Sequence, residues 1–409
     1  MATIRPHNII VSIDIGTTKI CTLVAQQLSN DQLEIIGIGK APSAGLRKGI
    51  VVNIGQTVHS IKSAVKEAEI MAGIPIEAAS IGVSGGHIHS ISSQGVVPIK
   101  KGMVRRSDVA NALAAARAVP LPEGQQVLHI LPQYFIIDGT EKILDPVGMH
   151  GVRLEVQAHI IMGSITSVQN LVNCCEMAGI CVTDIILEQL ASASAVLSRD
   201  EIELGVGMID IGGGTSDVAL YKQGSIRHTM VLPVAGNHFT NDIAIGLRTP
   251  VEQAEQLKHE HGLASTELLA QDNQLEIEMI QGTTMRTIKH KQLVQIIEPR
   301  ARELLTLIHD ELKKQNLLDM MSTGIVLTGG GSLLQGMDLL AHDIFSMPVR
   351  IGMPRVMHEV PGSLDNPIYA TGYGLLLQTL KKGQSTMSHD GPMLKRIIMS
   401  MKSWVSDFF

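Results

Sequence analysis

The chain has 409 residues, 44% of them apolar and 18% charged, a composition that supports a folded core and excludes a disordered polymer. Its 33 Lys and Arg against 39 Asp and Glu leave a net charge of -6, which offers no bulk positive field to a nucleic acid. One Trp, four Tyr and five Phe are too few for a base-stacking platform.

At roughly 150 residues per domain the length predicts about two to three domains. The start of the chain runs into a strand pattern without signal-peptide architecture, and no apolar run reaches the roughly 20 residues needed to cross a bilayer. Cys21, Cys174, Cys175 and Cys181 form no CxxC pair. Free thiols in a reducing cytosol are therefore expected, with Cys174 and Cys175 in the core. Any membrane contact is expected to be peripheral.

The first predicted unit, Ile9 to Lys19, is a β-rich run closed by Asp14, Gly16, Thr17, Thr18 and Lys19. Glycine permits a tight turn with N–H groups facing an anion, hydroxyls add donors, and Lys19 can neutralise phosphate charge. Val58, Ile61, Val65 and Ala68 then recur at helical spacing from Ile54, and Gly73 stops the run. Between Ser84 and Met162 the texture changes to short β segments around one Ala-rich helix, Ser107 to Val119, which predicts an inserted subdomain.

A second unit of the first kind follows at Met208 to Asp217, with Asp210, Gly212, Gly213, Gly214 and Thr215. It lies about half the chain beyond the first, an offset that suits duplication of one domain better than a solenoid. Asp14 and Asp210 could together hold a hydrated Mg2+ ion, which prefers a few carboxylates and keeps its waters. A single such turn is equally well explained as strand punctuation; two matched turns are not. A polar insertion is expected over about 232–298. Pro299 predicts a helix starting near Glu298 and running to Leu318, with the proline in its first turn. A third glycine cluster, Gly329, Gly330 and Gly331, follows the run Gly324–Thr328. Ser332 is placed to cap the next helix. Neither GxxxxGK[ST] nor GxGxxG occurs.

Residues 381–392 have no periodicity and predict a flexible linker. In Met393–Phe409, Leu394, Ile397, Ile398, Met401, Trp404, Val405, Phe408 and Phe409 share one face, and Lys395, Arg396 and Lys402 lie on the other. Such a helix is too charged to span. Rings that sink and cations that meet anionic lipid make it a candidate interfacial anchor. Packing on its own domain or on a partner is the competing expectation. His87 with His89, and His259 with His261, lack further ligands and make weak zinc candidates.

In this order the three glycine turns resemble those of the actin, DnaK-chaperone and sugar-kinase superfamily. Val83–His87, Gly205–Asp217, Pro233–Asn237, Ile297–Arg300 and Gly324–Gly330 narrow the resemblance to the FtsA family of bacterial cell-division proteins. It covers essentially the whole chain. The resemblance implies an α/β, actin-like duplicated ATPase fold with two inserted subdomains and a C-terminal amphipathic helix. The first core subdomain would be 1–83 with 163–196, and the second 197–231 with 299–380. The insertions would be 84–162, for assembly and recruitment, and 232–298.

It further implies ATP and Mg2+ as ligands, with Gly236 and Asn237 in the site and Glu255 and Lys258 near the nucleoside. Glu188 resembles the carboxylate that positions water in MreB-type actins; a plain helix-start acid is the alternative. Arg286, Lys291 and Arg300 would dock the acidic C-terminal tail of FtsZ, or simply form a solvated face. The implied protein tethers the FtsZ ring to the cytoplasmic face of the inner membrane. It would self-associate as a dimer or filament, recruit later division proteins, bind anionic lipid and no nucleic acid, and hydrolyse ATP slowly at most. A small-molecule kinase or chaperone-type ATPase of the same superfamily is the alternative.

Overall fold

The structure is a computed structural model that describes residues 8–28, 32–280, 285–355 and 364–387, the last five by their backbone alone. The first part of the chain forms β1 (Ile9–Ile15), β2 (Lys19–Gln27) and β3 (Leu33–Pro42). The small pair β4 (Leu46–Arg47) and β5 (Ile50–Val51), then α1 (Ile54–Ala72) and β6 (Ala78–Val83), complete it. Next come β7 (His89–Pro98), α2 (Arg106–Arg117), β8 (Gln125–Ile137) and β9 (Arg153–Ser164). The chain then returns through α3 (Ile165–Met177), β10 (Cys181–Leu187), α4 (Glu188–Val196) and α5 (Arg199–Leu204). The second part has β11 (Val206–Ile211), β12 (Ser216–Lys222), β13 (Ser225–Leu232), α6 (Gly236–Leu247) and α7 (Val251–His261). After these come β14 (Gln274–Glu278), β15 (Met285–Lys289), α8 (His290–Lys314), β16 (Ile325–Thr328), α9 (Met337–Phe345), β17 (Val349–Ile351) and α10 (Ala370–Met387).

Two sheets repeat one plan. The first runs β3-β2-β1-β6-β10 and the second β13-β12-β11-β16-β17. In each, three strands meander antiparallel and two more join in parallel. Near-continuous apolar runs such as Met208–Ile211 suit strands covered on both faces, and β11 is buried throughout. The duplication read from sequence is therefore a duplication of topology. The fold is α/β and actin-like.

The region 84–162 folds as a three-stranded antiparallel sheet, β7-β9-β8, with α2 packed on it around Val104, Ala112, Phe135 and Val156. It leans on β13 of the second sheet. There Ser90 Oγ donates to the Thr229 carbonyl at 3.1 Å, and Gln133 Nε2 to the Ile226 carbonyl at 3.0 Å.

Helix boundaries follow local chemistry. Asn53 caps α1 by accepting from the Gln56 amide, and Gly73 ends it at φ 70. Cys174 and Cys175 are fully buried, as expected. Three expectations fail. Pro299 lies inside α8, which begins eight residues earlier than predicted, at His290. The buried stripe Leu293, Val294, Ile297, Ala301 and Leu304 continues across it, so tertiary burial outweighs the lost hydrogen bond. Ser332 does not cap α9; it sits in a 3-10 turn and donates to the Gly329 carbonyl at 2.7 Å, and α9 starts after Gly336. Finally, α10 runs on to Met387 through the first part of the predicted linker. Extending an existing helix costs less than nucleating one, and no proline intervenes before Pro392. The candidate membrane helix, 393–409, lies outside the described residues, and among those described no helix is long and apolar enough to cross a membrane.

Candidate functional site

Between the two sheets lies a cavity of about 670 Å³. Asp14, Gly16, Thr17, Thr18 and Lys19 line it from one side, and Asp210, Gly212, Gly213, Gly214 and Thr215 from the other. Gly236, Asn237, Glu255, Lys258, Gly329, Gly330, Gly331 and Glu188 complete the set anticipated from sequence. The geometry thus assembles the three glycine turns, far apart in the chain, around one space.

The duplicated turns are alike in detail. The Gly16 amide donates to the Lys19 carbonyl at 3.0 Å, and the Gly212 amide to the Thr215 carbonyl at 2.9 Å. They also interlock: a Cβ on Gly213 would stand 2.4 Å from Thr18 Cγ2, and one on Gly214 would stand 2.4 Å from Thr17 Oγ1. The amides of Thr17, Thr18, Gly213 and Gly214 find no acceptor among the described residues. Free, converging N–H groups of this kind suit a bound polyanion.

Carboxyl groups crowd the floor. Asp210 and Asp217 face each other across the β11–β12 pair. Asp210 Oδ2 accepts from Ser192 Oγ at 2.5 Å and Thr371 Oγ1 at 3.2 Å. Asp217 Oδ1 accepts from Ser84 Oγ at 2.5 Å and Gln189 Nε2 at 2.7 Å. Burial pushes the Asp14 carboxyl up to about 6, with Lys19 opposing the rise and Asp210 adding to it. Burial raises Asp217 to about 7 against the Ser84 hydrogen bond, with Asp210 contributing. Glu188 stands well above the usual carboxylate range, through burial and the charges of Asp14, Asp217 and Asp210. Asp210 is raised too, by burial. A floor of buried acids is short of positive charge and favours a cation.

Among the described residues no group of three His, Cys, Asp or Glu side chains could hold a metal ion. The acidic oxygens fit an ion that keeps its own waters, Mg2+ being the hard divalent example. Asp14 and Asp210 would hold it.

At the far end, Lys258 Nζ reaches Glu255 Oε2 at 2.7 Å and Thr240 Oγ1 at 2.9 Å. Lys19 Nζ donates to the Ile368 carbonyl at 2.5 Å and lies over the Tyr369 ring. His259 pairs with Glu255 at 2.9 Å, and neither ring nitrogen of His87 has a partner, so neither weak zinc pair forms a ligand set.

Arg286 and Lys291 are exposed on β15 and at the start of α8. Arg300 is not free: it grips Asp242 with Nε at 2.6 Å and Nη2 at 3.1 Å, and also holds Glu303. That fork ties α8 to α6, so Arg300 is removed from the candidate partner surface.

Ser84, Ser192, Asp217 and Thr371 were not singled out from sequence as site residues. Asp217 was legible from the hairpin register opposite Asp210. Ser192 and Thr371 were not, since only the crossing of α4 and α10 brings them there.

The comparisons with known proteins agree with this architecture. Family models match at residues 207–374, cell division protein FtsA, and at 85–162, the SHS2 domain inserted in FtsA. The Pseudomonas aeruginosa cell division protein FtsA is 42% identical, with 100% of both chains covered. The chain belongs to the FtsA family of bacterial cell-division proteins. The FtsA of Bacillus subtilis is 39% identical over 90% of this chain and 83% of its own. That of Escherichia coli is 36% identical over 98% and 96%. Among solved structures, a PilM–PilN type IV pilus biogenesis complex aligns with a TM-score of 0.66 at 17% identity, covering 91% of this chain and 98% of its own. MreB5 of Spiroplasma citri bound to ADP aligns at 0.56 and 16% identity, covering 92% and 98%. These structural likenesses show the shared actin-like fold. With the family established, the kinase and chaperone alternatives give way to a role in cell division.

Proposed function

We propose that this FtsA-family chain binds ATP with Mg2+ between its two halves and tethers the FtsZ ring to the cytoplasmic face of the inner membrane at the division site. The observation that carries the nucleotide part is the four free amides of Thr17, Thr18, Gly213 and Gly214, contributed by both copies of one turn to a single cavity. Thr17, Thr18 and Lys19 would hold phosphate from one side and Gly212–Thr215 from the other. Glu255, Lys258, Gly236, Asn237 and Gly329–Gly331 would border the nucleoside. Asp14 and Asp210 would hold Mg2+ through its waters; the ion supplies charge neutralisation for the phosphates.

Glu188 lines the cavity and would touch water held there. Burial and the charges of Asp14, Asp217 and Asp210 disfavour its ionised form, the form that would take a proton from water, and slow hydrolysis at most fits that. ATP then serves mainly to close the halves and favour self-assembly.

In this reading 84–162 is the assembly and recruitment module for later division proteins, and 232–298 carries the FtsZ-tail dock at Arg286 and Lys291. The terminal segment 393–409 is the anchor. Weak contacts of single anchors with anionic lipid would multiply in a dimer or filament. Nucleic acid has no place in it.

Two measurements test the proposal. Calorimetric titration of ATP with Mg2+ should give saturable binding that Asp14→Asn or Asp210→Asn weakens by about tenfold or more. On vesicles, FtsZ should co-float only when the chain is present, and Trp404→Glu should abolish this. Absence of ATP binding refutes the cleft assignment; flotation that survives Trp404→Glu refutes the anchor.

A further inference from the structure

The inserted module carries an unexplained surface. Two connections leave the same end of its sheet, since Pro98 pairs with Arg153 and Ile137 with Leu154 at the strand ends. The first connection presents Lys100, Lys101, Arg105 and Arg106, all exposed. None of the four forms an ion pair among the described residues. Between and beside them stand apolar side chains in water: Met103 at 38%, Met149 at 43% and Val152 at 74% exposure. Arg105 and Arg106 also begin α2, whose N-terminal end is itself positive; Asp108 in its first turn, which accepts from the Arg105 amide at 2.9 Å, offsets part of that charge. In a chain of net charge -6, the first connection is a local reversal of sign, while the second carries Asp138, Glu141 and Asp145 beside Lys142.

We propose that this tip is a second membrane contact, in which the four cations meet anionic headgroups and Met103, Met149 and Val152 enter the headgroup boundary. The inference rests on the membrane reading above but uses different residues. Three observations select lipid over other occupants. A peptide adding as a strand needs an open edge, yet the main chain here is already closed on itself. The Ile99 amide donates to the Val152 carbonyl at 2.7 Å, the Val104 amide to Met149 at 2.9 Å and the Gly151 amide to Gly102 at 3.1 Å. The chain's own terminal segment, with Lys395, Arg396 and Lys402, has the same sign and would be repelled. Like-charged, partly apolar surfaces share one counter-surface, an anionic bilayer.

Reach permits both to act together. The Lys382–Asp184 ion pair acts on His129, which places the end of α10 beside the middle of β8. From His129 to Ile137 the strand advances about 26 Å, at roughly 3.3 Å per residue. In the membrane reading above, about 5 residues separate Met387 from the anchor, a span of about 12 Å, and the 17-residue anchor as a helix would add about 26 Å. One planar surface can therefore touch the tip and the tail of a single copy.

The test is partitioning of the full chain onto vesicles of phosphatidylglycerol and phosphatidylcholine at about 3:7, against pure phosphatidylcholine. Lys100→Gln/Arg106→Gln should lower partitioning onto the anionic vesicles by about 30-fold, at about 1 kcal/mol per cation. The control Lys62→Gln/Lys313→Gln, which removes equal charge elsewhere, should leave it unchanged. Unchanged partitioning of the tip variant, with loss in Phe408→Glu, overturns the tip and keeps the tail anchor. Loss in the tip variant, with none in Phe408→Glu, keeps the tip and overturns the tail. No partitioning by any form overturns both. Saturable binding of a hexaglutamate peptide that the tip substitutions abolish, without change on vesicles, overturns lipid in favour of an acidic protein partner.

Discussion

Gly329 shows how closely single atoms define the cleft. Its φ of 78 is left-handed, and a Cβ there would stand 2.1 Å from Asp210 Oδ1. Gly329→Ala should cost about 1–3 kcal/mol in a denaturant melt and, by displacing Asp210, lower nucleotide affinity about tenfold or more. Ser84 spans the cleft to Asp217 with a 2.5 Å bond. Ser84→Ala should cost about 1–3 kcal/mol, because the buried acid loses one donor while Gln189 remains. His129 supplies a pH test. Burial, aided by Lys382, holds its imidazole at about 4 against the usual 6.5. The folded state keeps it neutral while the unfolded chain takes up a proton near pH 6.5, so stability is lost as pH falls from about 6.5 to 4. The stability gap between wild type and His129→Asn should therefore shrink across that window. A constant gap in parallel melts would contradict the burial argument. None of these contacts was visible in the sequence, which marked Gly329 as a residue of the third glycine turn and did not single out His129.

At the scale of elements, α4 and α10 cross between the two sheets. A Cβ on Gly374 would lie 1.8 Å from the Ala191 carbonyl oxygen, backbone that cannot yield without moving the helix. Gly374→Ala should lower stability by about 1–3 kcal/mol and, because Ser192 and Thr371 on the same helices hold Asp210, weaken nucleotide binding as well. Pro299 makes the opposite case. It is exposed within α8 and leaves a carbonyl of the preceding turn without its usual donor. Pro299→Ala should raise stability by about 1–3 kcal/mol, as read by midpoint shift in urea. Sequence periodicity located α1 closely because its apolar stripe is regular and Gly73 ends it; the structure adds Asn53 as the cap at its start. It misplaced the start of α8 because a proline is a local signal, whereas Leu293, Val294 and Ile297 are buried by distant partners.

For the whole molecule, two copies of one topology must approach each other for the cavity to exist, so a ligand gripping both should stabilise the closed form. Nucleotide at about 100 times its Kd should add about 2.7 kcal/mol to folding stability, read as an upward Tm shift that Asp210→Asn abolishes. The sequence by itself determined the duplication, the three glycine turns, the inserted module and the polarity of the tail. Each is a pattern carried by neighbouring residues, set by backbone permissiveness or by apolar period. Only the tertiary structure decided that Ser84, Ser192 and Thr371 support the acids, and that Arg300 is occupied by Asp242. Only it gathered four cations and three apolar side chains at the tip of the inserted sheet. Those outcomes depend on which distant segments are pressed together, since burial and charge pairing are properties of proximity in space.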